Sequence, residues 1–279
     1  MQSRLIAVLT AAAMLALAGA ANAEQTVIRY VRFAVGESAA YGVLDGQTVH
    51  ELSGTPFDAP SRTGRTFRLD DIRLLPPTEP SKVLAVALNF RSHAGDSGAA
   101  KPELFAKLPS SLIGDGEPIV PPAGSSSLHY EGELVVVIGK TARRISPEQA
   151  PDHVFGVTAG NDVSERVWQS SDVQWLRAKA SDSFGPVGPV LVAGLDYHDL
   201  LIETRLNGAV QQSESTKNLI HDVDEIVSFA SQYFTLLPGD MIFTGTPGRT
   251  RAMRPGDVVE ITIQGVGTLR NPVAAVPSD

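Results

Sequence analysis

Residues 134–138, Leu-Val-Val-Val-Ile, form an unbroken β-branched and aliphatic run closed by Gly139. Such a run predicts a buried strand. Two carboxylates, Glu131 and Glu133, stand at its entrance. Residues two apart on a strand point to one face, so both acids project together from the edge of an apolar core. Neighbouring anions repel and lose solvation there unless a cation lies between them. A divalent metal ion would satisfy the pair. A solvated strand end carrying two surface glutamates is the alternative, and the same-face geometry holds for either.

Other residues along the chain bear on the same question. His93 and Asp96 follow the apolar run 82–88 in a polar, glycine-bearing segment. Three residues apart, they would lie side by side on a helical turn; a loop histidine near an acid is the plainer reading. Asp162 ends the run 154–159, as a site acid or as the acid of an Asx-turn. Lys179 opens a loop, where it either meets an anion or is solvated. Gly245-Thr246-Pro247 follows a short apolar run, and its tight backbone amides suit a carboxylate.

Turn chemistry divides the chain into many short strands. Asp45-Gly46 and Asn207-Gly208 read as hairpin turns, and Gly265 as a third. Residues 53–71 and 102–116 read as turn or loop. Ser146, Ser164 and Asp222 stand where helices should start, Asp222 with Glu225 three residues on. Prolines at 76, 77 and 80 mark a linker. The expected organisation is a signal peptide at 1–23, a small N-terminal β domain at 24–78, and a larger domain at 79–279. Arg4, an apolar stretch and Ala21-Asn22-Ala23 make the signal pattern, which implies a periplasmic or secreted protein. The apolar stretch is shorter than the ~20 residues of a spanning helix, so no membrane association is expected after cleavage. A net charge of −8 argues against nucleic acid as a partner. With no cysteine, thiol catalysis and thiolate metal sites are excluded. Many strands and few helices indicate a β-rich α+β fold, a mixed β-sandwich roll with helices on its flank.

Several motifs, in order, resemble the fumarylacetoacetate hydrolase family. They are residues 88–94 (LNFRSHA), 128–134 (LHYEGEL), 160–164 (GNDVS), 168–169 (WQ), Lys179 with 182–186 (DSFGP), 245–247 (GTP) and 267–272 (GTLRNP). The resemblance covers about residues 82–272, and the N-terminal part is similar to a small β domain found in one bacterial subgroup. It implies a homodimer with one Mg²⁺ or Mn²⁺ ion, Ca²⁺ being possible, held by Glu131, Glu133 and Asp162. An all-carboxylate set suits a hard cation of this kind. It also implies a catalytic His93 on a lid, with Asp96 where the family has glutamate, and Lys179 near substrate. Substrate contacts fall at Arg91, Gln169 and Thr246, with Thr246 meeting the substrate carboxylate. The implied activity is hydrolytic or lytic C–C cleavage in a small 2-oxo acid or β-dicarbonyl compound. Decarboxylation of an oxaloacetate-like acid, isomerisation of a 2-hydroxy-diene-dioate, and non-catalytic oxo-acid binding are the alternatives.

Overall fold

The computed structural model describes residues 26–276. The expected signal sequence lies outside the described residues. The expected β-sandwich roll is present, as a twelve-stranded mixed sheet against a four-stranded antiparallel one.

The strand Gly132–Ile138 lies inside the large sheet and is buried along its whole length. Its pleat explains why every residue is apolar after Glu133. Leu134 and Val136 enter one cluster with Val157, Ala159, Ile202 and Ile261, between the two sheets. Val135 and Val137 enter another with Val83, Ala85 and Phe243 on the opposite face. The first cluster is closed by the small sheet, whose strands run in the order Ala209–Ser215, Leu201–Leu206, Val258–Ile263, Gly267–Pro272. Gly132–Ile138 pairs antiparallel with Val154–Asn161 on one side and Met241–Phe243 on the other. Met241–Phe243 pairs in parallel with Val83–Ala87, which carries Glu103–Lys107 at the sheet edge.

The N-terminal strands Ile28–Val35, Ser38–Asp45, Thr48–Leu52 and Arg62–Arg68 form a meander. They join the large sheet through Ile28–Val35, which pairs with Gly185–Ala193, Tyr30 opposite Leu191. The N-terminal segment is therefore continuous in hydrogen bonding with the sheet that carries the acids.

Local expectations hold at Asn207-Gly208, where both residues have positive φ (52° and 79°) between paired strands. They shift by one residue at the first hairpin, where Asp45 pairs with Thr48 and Gly46-Gln47 make the turn. Two stretches read as turn or loop contain strands, Arg62–Arg68 and Glu103–Lys107. Ser164 caps nothing: its hydroxyl donates to the Asp162 carbonyl, and the helix Arg166–Ser171 is capped by Glu165.

The helix Val223–Tyr233 starts as expected, with the Asp222 carboxylate accepting from the Glu225 N–H at 2.8 Å. Asp222→Ala leaves that amide unpaired. It is expected to lower stability by about 1 kcal/mol, measured by urea unfolding.

Candidate metal centre and its surroundings

Glu131, Glu133 and Asp162 converge. Each presents a carboxylate oxygen within 4.8 Å of the others, and all three are buried. The pairing explains the meeting. Gly132 lies opposite Asn161, and the Asp162 N–H donates to the Glu131 carbonyl at 2.9 Å. Asn161 fastens the same corner, accepting from the Glu131 N–H at 2.9 Å. The surface reading of the two glutamates is thereby excluded, since Glu133 is 1% exposed.

Three cations ring the acids. Lys179 Nζ donates to Glu131 Oε2 and Asp162 Oδ2, both at 2.6 Å. Lys107 Nζ donates to Asp162 Oδ1 at 2.6 Å, and Arg166 reaches Glu131 Oε1 at 2.5 Å. Glu133 receives one hydrogen bond, from the Gly245 N–H at 2.7 Å, and no ion pair among the described residues. The carboxylate that suits the Gly245 amide is thus the protein's own. Gly245 sits at φ 109°, and a Cβ there would stand 2.7 Å from that of Asn89. Only glycine brings its amide to Glu133 in this position.

The electrostatics follow from these contacts. Burial alone would raise the Glu131 carboxyl, but Lys179, Arg166 and His93 outweigh it and hold Glu131 well below the usual carboxylate range. Glu133 goes the other way. Burial pushes it well up, and the charges of Asp162 and Glu131 push it further. Burial opposes the charge on Lys179 too, yet Asp162 and Glu131 raise it overall; Lys107 is lowered, by burial first and by the charge of Lys179, against the pull of Asp162. Crowding at Glu133 is what a cation among the three acids would relieve. The donor set is all oxygen, the choice of a hard divalent ion, and the residues fit such an ion.

His93 lies in the short helix Arg91–Ala94, its side chain 19% exposed. Nδ1 stands 2.7 Å from the Gly248 carbonyl. A carbonyl only accepts, so Nδ1 carries a proton, and Nε2 is the nitrogen free to exchange one. Nε2 faces Glu131 Oε1 at 3.8 Å. Asp96 does not join it. The helix ends at Ala94, Gly95 turns at φ 59°, and exposed Asp96 makes no hydrogen bond or ion pair with His93. The expected dyad is replaced by a backbone acceptor. Arg91 also departs from expectation: it is exposed beside Glu214 and Asn218, on a different part of the surface.

Gln169 and Thr246 line the same cavity as the acids, His93, Arg166 and Lys179. Gln169 accepts from Arg166 at 2.7 Å. The Thr246 hydroxyl donates to the Gly132 carbonyl and accepts from Gln212, so it braces the start of the strand between the two glutamates. Lys107 lies in the stretch 102–116 that reads as loop, and no sequence signal singled out Arg166. Arg166 lies three residues before Gln169, a helical spacing that aligns both side chains. Leu88, at the cavity mouth, has φ 56°, a left-handed conformation unfavourable for its side chain and typical of functional loops.

Fold and site together define a β-roll protein with a buried carboxylate centre suited to a divalent cation. Residues 82–274 match the fumarylacetoacetate (FAA) hydrolase C-terminal family, and residues 28–77 match an Rv2993c-like N-terminal family. The chain belongs to the FAA hydrolase family. It is 43% identical over 259 residues to Protein Rv2993c of Mycobacterium tuberculosis, covering 88% of this chain and 98% of that one. It is 37% identical over 215 residues to a mitochondrial oxaloacetate tautomerase of Xenopus laevis, covering 72% of this chain and 67% of that one. Among solved structures, a 2-hydroxyhepta-2,4-diene-1,7-dioate isomerase from Mycobacterium marinum superposes with a TM-score of 0.84. Its identity is 43%, over 88% of this chain and 98% of that one.

Proposed function

We propose that this protein is a metal-dependent tautomerase or isomerase of small 2-oxo acids, moving a proton between oxygen and carbon. The observation that carries this reading is the His93 Nδ1 contact to the Gly248 carbonyl. It fixes a proton on Nδ1 and leaves Nε2 open toward the acids, with no carboxylate behind the ring. Hydrolytic C–C cleavage asks more of the base, because water must be activated to attack carbon. Tautomerisation asks only for proton transfer. The enol loses the proton on its C2 oxygen and gains one at the adjacent C3. One imidazole serves both atoms: Nε2 accepts the first proton and returns it to carbon. The names of the relatives, an oxaloacetate tautomerase in Xenopus and a dioate isomerase in M. marinum, support this order of preference.

A divalent cation held by Glu131, Glu133 and Asp162 would supply Lewis-acid stabilisation of the enolate oxygen. The remaining residues bind and orient. Arg166 and Gln169 offer donors to the substrate carboxylate. Lys107 and Lys179 bond Asp162 and Glu131 and hold them in place. With all three acids ionised, Lys107, Lys179 and Arg166 cancel their charge. An added divalent ion then leaves two positive charges, which the carboxylate and enolate of a 2-oxo acid balance. Export, from the signal-like first 23 residues, and a homodimeric state belong to this proposal.

Asp96 provides the test. Asp96→Asn is expected to change the enol-to-keto conversion of oxaloacetate by less than about threefold, since Asp96 makes no contact with the base. A loss of 100-fold or more, followed by the decay of enol absorbance, would restore the His93–Asp96 dyad and with it the hydrolytic reading.

A further inference from the structure

Beside the acid-lined cavity lies a second, larger depression. Ala87, Phe105 and Trp175 line both. The space against the acids has a volume of about 40 Å³, and the adjoining groove about 630 Å³. The smaller space suits the 2-oxo carboxylate head of an acid. Any longer substituent leaves the head toward the groove.

The elements that deliver the two lysines also build the groove wall. Phe105 is two residues before Lys107 on the strand Glu103–Lys107, so both point to one face. Trp175 is one turn before Lys179, whose N–H donates to the Trp175 carbonyl at 2.9 Å. The two rings meet edge-to-face with centroids 5.5 Å apart. Beyond them, Phe229 and Tyr233 pack at 5.2 Å, with Phe234 next in the chain. Tyr233 is 61% exposed and Phe234 41%. A contiguous exposed aromatic surface of this kind marks a binding site, and its rings favour stacking on another flat group.

We propose that this groove is the tail subsite of the same active centre, and that it takes a flat apolar arm, aryl or conjugated alkenyl, carried by the 2-oxo acid. Trp175, on the border of cavity and groove, determines which tails pass. The inference rests on the head-group reading given above. Continuity of the groove with the acid-lined cavity favours a substrate arm over a second copy of the chain as occupant.

The test compares 2-oxobutanoate with 4-phenyl-2-oxobutanoate, two acids with one head and different tails, by calorimetry on the Mn²⁺-loaded protein. The phenyl acid is expected to bind at least about tenfold more tightly. Tyr233→Ala should reduce that ratio to less than about threefold, and Tyr233→Phe should keep it. Binding of 2-oxobutanoate with no phenyl preference in the wild type would overturn the groove assignment alone, as would an unchanged ratio in Tyr233→Ala. Loss of a dimer in Tyr233→Ala by light scattering, with the phenyl preference intact, would assign the groove to a second copy instead. No binding of either acid would overturn the head-group reading and this proposal with it.

Discussion

Glu133→Gln is expected to weaken Mg²⁺ or Mn²⁺ binding by more than about 100-fold, measured by calorimetry. Changes merely adjacent to metal ligands already cost about 10–100-fold, and this one removes a ligand charge. Glu133 is the most informative of the three acids because it has no cation of its own. Lys179 serves Glu131 and Asp162, Lys107 serves Asp162, and Arg166 serves Glu131. Removing Glu131 or Asp162 would strand a buried lysine or arginine and risk the fold, since an unpaired buried charge costs about 3–5 kcal/mol. Removing the charge of Glu133 strands nothing, and the Gly245 N–H can still donate to the glutamine oxygen. The variant should therefore fold, with metal binding as the function lost. Wild-type affinity in a folded Glu133→Gln protein would remove Glu133 from the metal centre.

His93→Ala should lower the rate of enol–keto exchange by about 10²–10⁴-fold, the span of general acid–base catalysis. Metal affinity should stay near wild type, because His93 Nε2 lies 3.8 Å from Glu131 and is not among the converging acids. The fold should tolerate the change, since the short helix Arg91–Ala94 contains no buried residue. Stopped-flow decay of enolic oxaloacetate, with calorimetric metal titration of the same protein, separates the two effects. Wild-type exchange in His93→Ala would leave the proton transfer to the solvent or to Lys179.

The acids were legible in the sequence because their geometry is local. Glu131 and Glu133 flank Gly132 at the start of one strand, and Asp162 directly follows the strand that pairs with it. The Asp222 cap and the Asn207-Gly208 turn are local in the same way. What could not be read is set by distant pairing. Lys107 meets Asp162 across 55 residues, from an edge strand too short to show alternation. Arg62–Arg68 is almost wholly exposed. Its Arg, Thr and Gly residues carry no apolar period, and only pairing with Thr48–Leu52 makes it a strand. The His93–Asp96 contact is not made in this structure for a nameable reason: it requires a continuous helical turn, and Gly95 at φ 59° breaks that turn. The acceptor that replaces Asp96 is a backbone carbonyl 155 residues away, which no side-chain spacing can reveal.

The central claim is that this centre moves protons on an enol and does not primarily split C–C bonds. The most direct measurement follows enolic oxaloacetate and an acylpyruvate side by side with Mn²⁺-loaded wild-type protein. The account predicts fast enol–keto exchange, lost on chelation, with C–C hydrolysis of the acylpyruvate slower by at least about 10²-fold, the lower bound of what an activated base contributes. Hydrolysis as fast as tautomerisation, or metal-dependent hydrolysis with no tautomerisation, would contradict it.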